Sequence, residues 1–129
     1  MNKKILIVLA NYYKDISDGL LKSALKNIPS STPVKIIKVP GVFEIPVTIS
    51  KNLKKFDAFL ALGCVIKGQT PHFDFISQAS TNAIMDISVK NNKPVGNGII
   101  TCLNMKQAKA RKNKGAEAAN AVVTILKQK

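Results

Sequence analysis

The chain alternates between continuous apolar runs and segments in which apolar residues recur every three or four positions. The runs predict strands at 4–10, 34–39, 59–66 and 95–102. Strands that are apolar on both faces are typical of a parallel sheet covered by helices on both sides. The pattern predicts a single α/β domain over residues 1–129, a three-layer α/β/α sandwich on a four-stranded parallel sheet, flavodoxin-like, with right-handed crossovers.

Helical spacing predicts helices at 16–28, 45–53 and about 72–90, followed by a short helix and a final helix after Asn104. Asp15 or Ser17 is available to cap the first helix, and Pro46 fits the first turn of the second. Ala, Lys and Gln dominate the segment after Asn104, and a break near residues 112–115 divides it. Each strand is therefore followed by helix, as a parallel sheet requires.

Cysteine usage and segment lengths restrict the class of protein. Cys64 and Cys102 each lie inside an apolar strand, which predicts buried free thiols in a reducing compartment and argues against a disulfide or a zinc site. The apolar run near the N-terminus is short and lacks a small-residue cleavage pattern, so we interpret it as a strand. No apolar stretch approaches the ~20 residues of a membrane-spanning helix. We expect a soluble, cytoplasmic protein without a metal.

The formal net charge is +13, from 20 basic and seven acidic residues. Such a charge raises the question of a polyanionic partner, because phosphate backbones attract clustered Lys and Arg. The lysines are spread along the chain, only two Tyr and no Trp could stack on bases, and no nucleic-acid motif occurs. We expect a solvated lysine-rich surface and no nucleic-acid binding.

The junction after the third predicted strand combines residues that suit an anion. Gly68 lets the backbone approach a ligand, Thr70 can cap the next helix, and Pro71 suits its first position. Free N–H groups at that helix start would face a phosphate, although any tight strand-to-helix turn uses similar residues. His72, the only histidine, follows at once, which makes it the candidate base.

Four charged residues stand at other junctions. Glu44 begins a helix, where its carboxylate either pairs with the helix dipole or accepts hydrogen bonds from sugar hydroxyls. Arg111, the only arginine, lies with Lys114 between the last two helices, and its planar fork suits phosphate. Glu117 either caps the final helix or orients His72.

Residues 61–75, ALGCVIKGQTPHFDF, closely resemble the signature of the lumazine synthase family. Residues 41–46, GVFEIP, are similar to the Gly-Ala-Phe-Glu-Ile-Pro element of that family. Residues further along the chain resemble the C-terminal signature of the family and follow it in the same order: 98–101, Gln107, Ala108, Arg111 and 113–119. The resemblance covers essentially the whole chain.

The resemblance implies a role for each residue at a matching position. His72 transfers protons, and Glu117 supports it. The keto-phosphate is held by Gly68, Gln69, Thr70 and Arg111, with Lys114 assisting. The pyrimidine and its ribityl chain are met by Tyr12, Val42, Phe43, Glu44, Val65 and Ile66.

Three features depart from the family pattern. Asn11, Tyr12 and Tyr13 replace a frequent Arg-Phe-Asn, so the stacking aromatic becomes Tyr12. Asn97 takes a position beside the substrate that Phe often fills. The loop between Arg111 and residue 113 is shorter than in many relatives.

The reaction that the resemblance implies joins 5-amino-6-(D-ribitylamino)uracil to 3,4-dihydroxy-2-butanone 4-phosphate in riboflavin biosynthesis, with no metal or redox cofactor. Lumazine synthases assemble as pentamers, and in some members as icosahedral shells. The resemblance therefore implies a homo-oligomer with active sites shared between adjacent subunits, and it leaves room for an association with riboflavin synthase. Two alternatives stay open from the sequence: an archaeal-type riboflavin synthase, which uses two lumazines, and a non-catalytic basic shell or flavin-binding protein.

Overall fold

The computed structural model describes residues 3–128. Within them, the strands are β1 (Ile5–Ala10), β2 (Val34–Val39), β3 (Ala58–Ile66) and β4 (Val95–Cys102). The helices are α1 (Lys14–Lys26), α2 (Ile45–Lys51), α3 (His72–Asn91), α4 (Met105–Ala110) and α5 (Lys114–Leu126), and a 3₁₀ turn (Val42–Glu44) precedes α2. None of these helices is long and apolar enough to cross a membrane.

The four strands are all parallel, in the order β2-β1-β3-β4, which confirms the predicted sheet. Ile5 pairs with Val34 on one side and with Ala58 on the other, and Phe59 pairs with Val95. The chain runs outward from β1 to β2 and then crosses back to β3, so the strand order reverses beside β1. In open α/β sheets, ligands bind at the carboxyl edge of such a reversal.

Helices cover both faces of the sheet, which confirms the three-layer sandwich. Ile7 and the other odd positions of β1 belong to a core with α1, α4 and α5, whereas Val8 and the even positions belong to a core with α2 and α3. Every residue of β1 is buried, because each alternate side chain meets one helical layer. Each such large aliphatic side chain contributes roughly 1.5–3 kcal/mol by leaving water, which is why this strand reads as an unbroken apolar run.

The start of α1 differs from the prediction. Neither Asp15 nor Ser17 caps the helix, which begins at Lys14 after Tyr13 without a side-chain cap. Ser17 is buried in the first turn, and its hydroxyl donates a hydrogen bond to the carbonyl oxygen of Ala10 at 2.5 Å. A buried hydroxyl needs such a partner, so Ser17 joins α1 to the end of β1.

Two other helices differ from the prediction in detail: α3 begins at His72, as predicted, but is capped differently, and α2 ends early. Pro71 is the cap residue of α3 and not its first helical residue, and no side chain caps this helix. The hydroxyl of Thr70 accepts only a long hydrogen bond, 3.4 Å, from the backbone N–H of His72. α2 ends at Lys51, earlier than predicted, although Leu53 still packs against the core below it. Pro46 lies in the first turn of α2, as predicted.

Candidate active site

A pocket of about 560 Å³ opens at the carboxyl edge of the sheet, where the strand order reverses. We call it the switch-point pocket. Its walls come from the segments that follow β1 and β2, the end of β3 and the first turns of α3. Seven of the predicted site residues line it: Tyr12, Val42, Phe43, Glu44, Val65, Ile66 and His72. The fold thus gathers residues from four separate segments at one place.

Close packing below the 3₁₀ turn forms one wall of this pocket. A Cβ atom on Gly63 would stand 2.8 Å from Cγ2 of Val42 and 3.0 Å from Cβ of Ala10. Because position 63 has no side chain, the segment after β2 lies directly on the sheet, and Val42 is buried there. Glu44 is half-buried at the pocket, and its carboxylate forms no salt bridge with residues 3–128. Its oxygens are therefore available as hydrogen-bond acceptors.

His72 begins α3, and its exposed ring lines the switch-point pocket. The preceding residues Gly68, Gln69 and Thr70 are also exposed. Around Gly68 the space is open, with no heavy atom within 4 Å of where a Cβ would stand. The His72 N–H makes only its long hydrogen bond to Thr70, and, among the described residues, the N–H groups of Phe73 and Asp74 are free to meet an anion beside the imidazole.

Two adjacent tyrosines form the β1 side of the pocket. Tyr12 is 75% exposed, and its ring meets that of Tyr13 edge to face, with centroids 4.9 Å apart and planes at 80°. Tyr13 is half-buried and packs against the core on the α1 side. Burial, and then Tyr12 and the Cys64 thiol, raise the pKa of Tyr13. Its hydroxyl stays protonated at pH values where an ordinary tyrosine begins to ionise.

Cys64 also lines the pocket but is almost fully buried. Burial, and then the neighbouring Cys102 thiol, raise the pKa of Cys64 to about 12. Both cysteines are free and buried, as predicted. A thiol that is so hard to ionise is a poor nucleophile, so we assign Cys64 no covalent chemistry. Within residues 3–128, no three His, Cys, Asp or Glu side chains are grouped as metal ligands.

A second pocket, of about 430 Å³, lies beside β4 at the junction of α4 and α5. We call it the α4–α5 pocket. It contains Arg111, Lys114 and Glu117, three of the predicted site residues. The Lys114 ammonium lies 3.6 Å from Glu117 Oε1, and the two side chains are 43% and 65% exposed, so this ion pair contributes little to stability. Arg111 is exposed and forms no salt bridge in the described part of the chain. The pocket therefore presents two cations and one carboxylate.

The predicted site is thus divided within a single chain. The two pockets share no residue, so His72 and its predicted helper Glu117 line different pockets. Residues 68–70 line neither of them. Asn97 also lies outside both, exposed on β4, where its Oδ1 accepts a hydrogen bond from the Ile99 N–H at 3.1 Å.

Four residues of the switch-point pocket were absent from the predicted site: Tyr13, Gly41, Cys64 and Ile76. Tyr13 and Gly41 could have been found, because each follows the carboxyl end of a strand. Cys64 and Ile76 carried only the signals of a buried strand and of an apolar helix face. Their place at the pocket depends on how β3 and α3 pack.

A sequence profile of the family described as 6,7-dimethyl-8-ribityllumazine synthase matches residues 2–129. The chain belongs to this family. A lumazine synthase of Nitrobacter hamburgensis is 42% identical over 98% of this chain and 85% of its own length. One from Rhodopseudomonas palustris is 40% identical over the same shares, and one from Agrobacterium fabrum is 41% identical over 97% of this chain and 93% of its own. The predicted family is confirmed.

Proposed function

We propose that this lumazine synthase family member condenses 5-amino-6-(D-ribitylamino)uracil with 3,4-dihydroxy-2-butanone 4-phosphate to give 6,7-dimethyl-8-ribityllumazine, at sites built by two adjoining subunits. The switch-point pocket carries this proposal, because it combines an open aromatic ring, an unpaired carboxylate and an imidazole. These groups suit a flat heterocycle that bears a polyol and exchanges protons as it reacts.

The aminopyrimidine occupies the switch-point pocket. Its ring stacks on the exposed face of Tyr12, and the apolar side chains of Val65 and Ile66 border it. Glu44 accepts hydrogen bonds from the ribityl hydroxyls, beside Phe43. This arrangement uses the open ring face and the unpaired carboxylate for the two chemically different parts of one substrate.

The keto-phosphate lies at the start of α3. Its phosphate contacts the open backbone around Gly68 and Thr70. Arg111 and Lys114 of an adjoining subunit complete this phosphate-binding site. The support for this arrangement is the division of the charged residues between two separate pockets of one chain. The switch-point pocket contains His72 but neither Arg111 nor Lys114, and the α4–α5 pocket contains both cations but no histidine.

Proton transfer is the main chemical demand of the reaction. The pyrimidine amino group attacks the ketone, loss of water gives an imine, phosphate leaves, and the ribityl-bearing nitrogen closes the ring with loss of water. His72 moves the protons, and Glu117 of the adjoining subunit orients it. A positioned histidine contributes roughly 10²- to 10⁴-fold in such steps, and holding two substrates face to face provides a large effective molarity.

A homo-oligomer, a pentamer or a multiple of pentamers, completes the proposal. Large apolar side chains that are at least 57% exposed occur on the 3₁₀ turn, α2 and α3: Phe43, Val47, Phe75, Met85 and Val89. Exposed apolar groups on one helical layer favour burial against another subunit. The two free thiols fit the reducing cytoplasm, and an association with riboflavin synthase stays a prediction from the resemblance.

The test is to mix the purified protein with both substrates and to follow the lumazine absorbance and the released phosphate. We expect both products in equal amounts. Conversion of lumazine to riboflavin would instead support the archaeal-type riboflavin synthase. Salt-sensitive retention of nucleic acid without turnover would support a non-catalytic shell.

A further inference from the structure

We infer that the Tyr13 hydroxyl contacts substrate directly, by donating a hydrogen bond to a ring carbonyl of the aminopyrimidine in the switch-point pocket. The inference rests on the proposed function and assigns a residue that the family pattern does not, since Tyr13 stands where Asn is frequent. Three observations carry it: the angle between the two tyrosine rings, the surroundings of the hydroxyl, and the chemistry of the pocket walls.

The ring geometry gives the two tyrosines different tasks. Their planes are 80° apart, so only one of them can stack face to face on a flat ligand. Tyr12 is 75% exposed and has an open face, whereas Tyr13 is half-buried and its ring packs against the core on the α1 side. Tyr12 therefore stacks, and Tyr13 is left to contribute its hydroxyl.

The Tyr13 hydroxyl has no hydrogen-bond partner among residues 3–128. Tyr13 lines the pocket together with Cys64, whose thiol is a weak acceptor, and burial raises the pKa of Tyr13. A ligand that enters displaces the water on this hydroxyl, and an unpaired buried hydroxyl is costly. The bound ligand must therefore supply an acceptor at this point.

The pocket walls leave few other acceptors for this donor. Val42, Val65 and Ile76 are apolar, and Glu44 comes from the segment after β2 and serves the polyol. A pyrimidine with two ring carbonyls carries acceptors on the edge of its ring. The keto-phosphate, in contrast, is assigned to the start of α3. The contact should therefore discriminate between the two substrates.

The decisive variant is Tyr13→Phe, which keeps the ring and its packing and deletes only the donor. We expect KM for the aminopyrimidine to rise about 2- to 12-fold, the equivalent of one neutral hydrogen bond, with KM for the keto-phosphate unchanged. The dissociation constant of the product lumazine, measured through its fluorescence, should rise by the same factor. Tyr12→Phe should raise neither value as much, because that hydroxyl belongs to an exposed ring.

Binding of lumazine separates failure of this inference from failure of the proposed function. If the wild type turns over and Tyr13→Phe changes neither constant, the inference is overturned and the function stands. If the wild type neither turns over the substrates nor binds lumazine, the inference and the proposed function are both overturned. An independent readout is available because the chain has only two tyrosines: the ¹³Cζ NMR signal of Tyr13 should move on titration with lumazine. A Tyr13 signal that does not move would also overturn the inference.

Discussion

Side chains at the switch-point pocket are available to ligands because the fold leaves them without strong partners. Tyr12 and His72 are exposed, and the carboxylate of Glu44 is unpaired within the described chain. By contrast, the buried hydroxyl of Ser17 is used for structure, since it donates a hydrogen bond to the Ala10 carbonyl oxygen. At the scale of single residues, the difference between a structural and a functional polar group is therefore whether its hydrogen-bonding capacity is already used.

Replacing His72 tests proton transfer. His72→Ala should lower kcat by roughly 10²- to 10⁴-fold, because the variant lacks the group that moves protons but retains the pocket walls. Binding of lumazine, followed by fluorescence titration, should be largely unchanged, and so should the melting temperature, because the side chain is exposed. A strong loss of lumazine binding with a smaller effect on kcat would contradict the assigned role.

Cys64 should make the folded state sensitive to alkaline pH. Its pKa is raised from 9.0 to about 12, so its contribution to stability is complete below pH 9.0 and is lost as the pH rises to about 12. The wild type should therefore lose more stability than Cys64→Ala across this window. Unfolding of the two proteins by denaturant at increasing pH measures the difference, and equal losses of stability would contradict it.

At the scale of elements, Ser23 on α1 holds the turn between α4 and α5. Its hydroxyl donates to the carbonyl oxygen of Lys112 at 2.8 Å and accepts a hydrogen bond from the Ala116 N–H at 3.1 Å. Gly115 allows this approach, since a Cβ there would stand 2.6 Å from Ser23 Oγ. The short turn that carries Arg111 is therefore fixed by a neighbouring helix.

Ser23→Ala should misplace that turn and weaken phosphate binding. We expect a several-fold rise in KM for the keto-phosphate, little change in KM for the aminopyrimidine, and a loss of about 0.5–1.5 kcal/mol in stability from the missing hydrogen bond to the Lys112 carbonyl oxygen. The Ala116 N–H keeps its other hydrogen bond, to the Asn113 carbonyl oxygen. Val122→Ala is the matched control, because it removes buried contacts of α5 further from the turn. It should lower the melting temperature without raising KM for the keto-phosphate. If KM for the keto-phosphate rose equally in both variants, Ser23 would act only through the stability of the fold.

At the scale of the whole molecule, the proposed site residues of one chain are divided between two separate pockets. His72, to which we assign proton transfer, lies in the switch-point pocket, and Arg111 lies in the α4–α5 pocket. An oligomer that places one pocket against the other would make catalysis depend on assembly. The smallest active unit would then be a pair of adjoining subunits and not a single chain.

Mixed oligomers test this dependence. His72→Ala and Arg111→Ala subunits should each be nearly inactive alone, but subunits mixed after dissociation and reassembled together should recover part of the activity, because some hybrid sites contain both native residues. Activity and oligomer size are measured on the same sample. Assembled mixtures with no more activity than the separate variants would rule out a shared site.

The sequence alone determined the strands, the helices and the parallel sheet, because apolar periodicity is a local property that burial on two faces imposes directly. It also identified the family, since the run from Ala61 to Phe75 keeps its order and spacing along the chain. The strand bounds were predicted to within a single residue. The N-terminus of α1 was not, because the partner of Ser17 is a carbonyl of β1.

Only the tertiary structure decided which residues share a pocket. It brought Tyr13 and Cys64 beside His72, and it separated Glu117 from that histidine within one chain. It also revealed that Ser23 holds the α4–α5 turn from a distant part of the sequence. The physical reason is that these relations depend on the packing of elements far apart in the chain, which local periodicity does not encode.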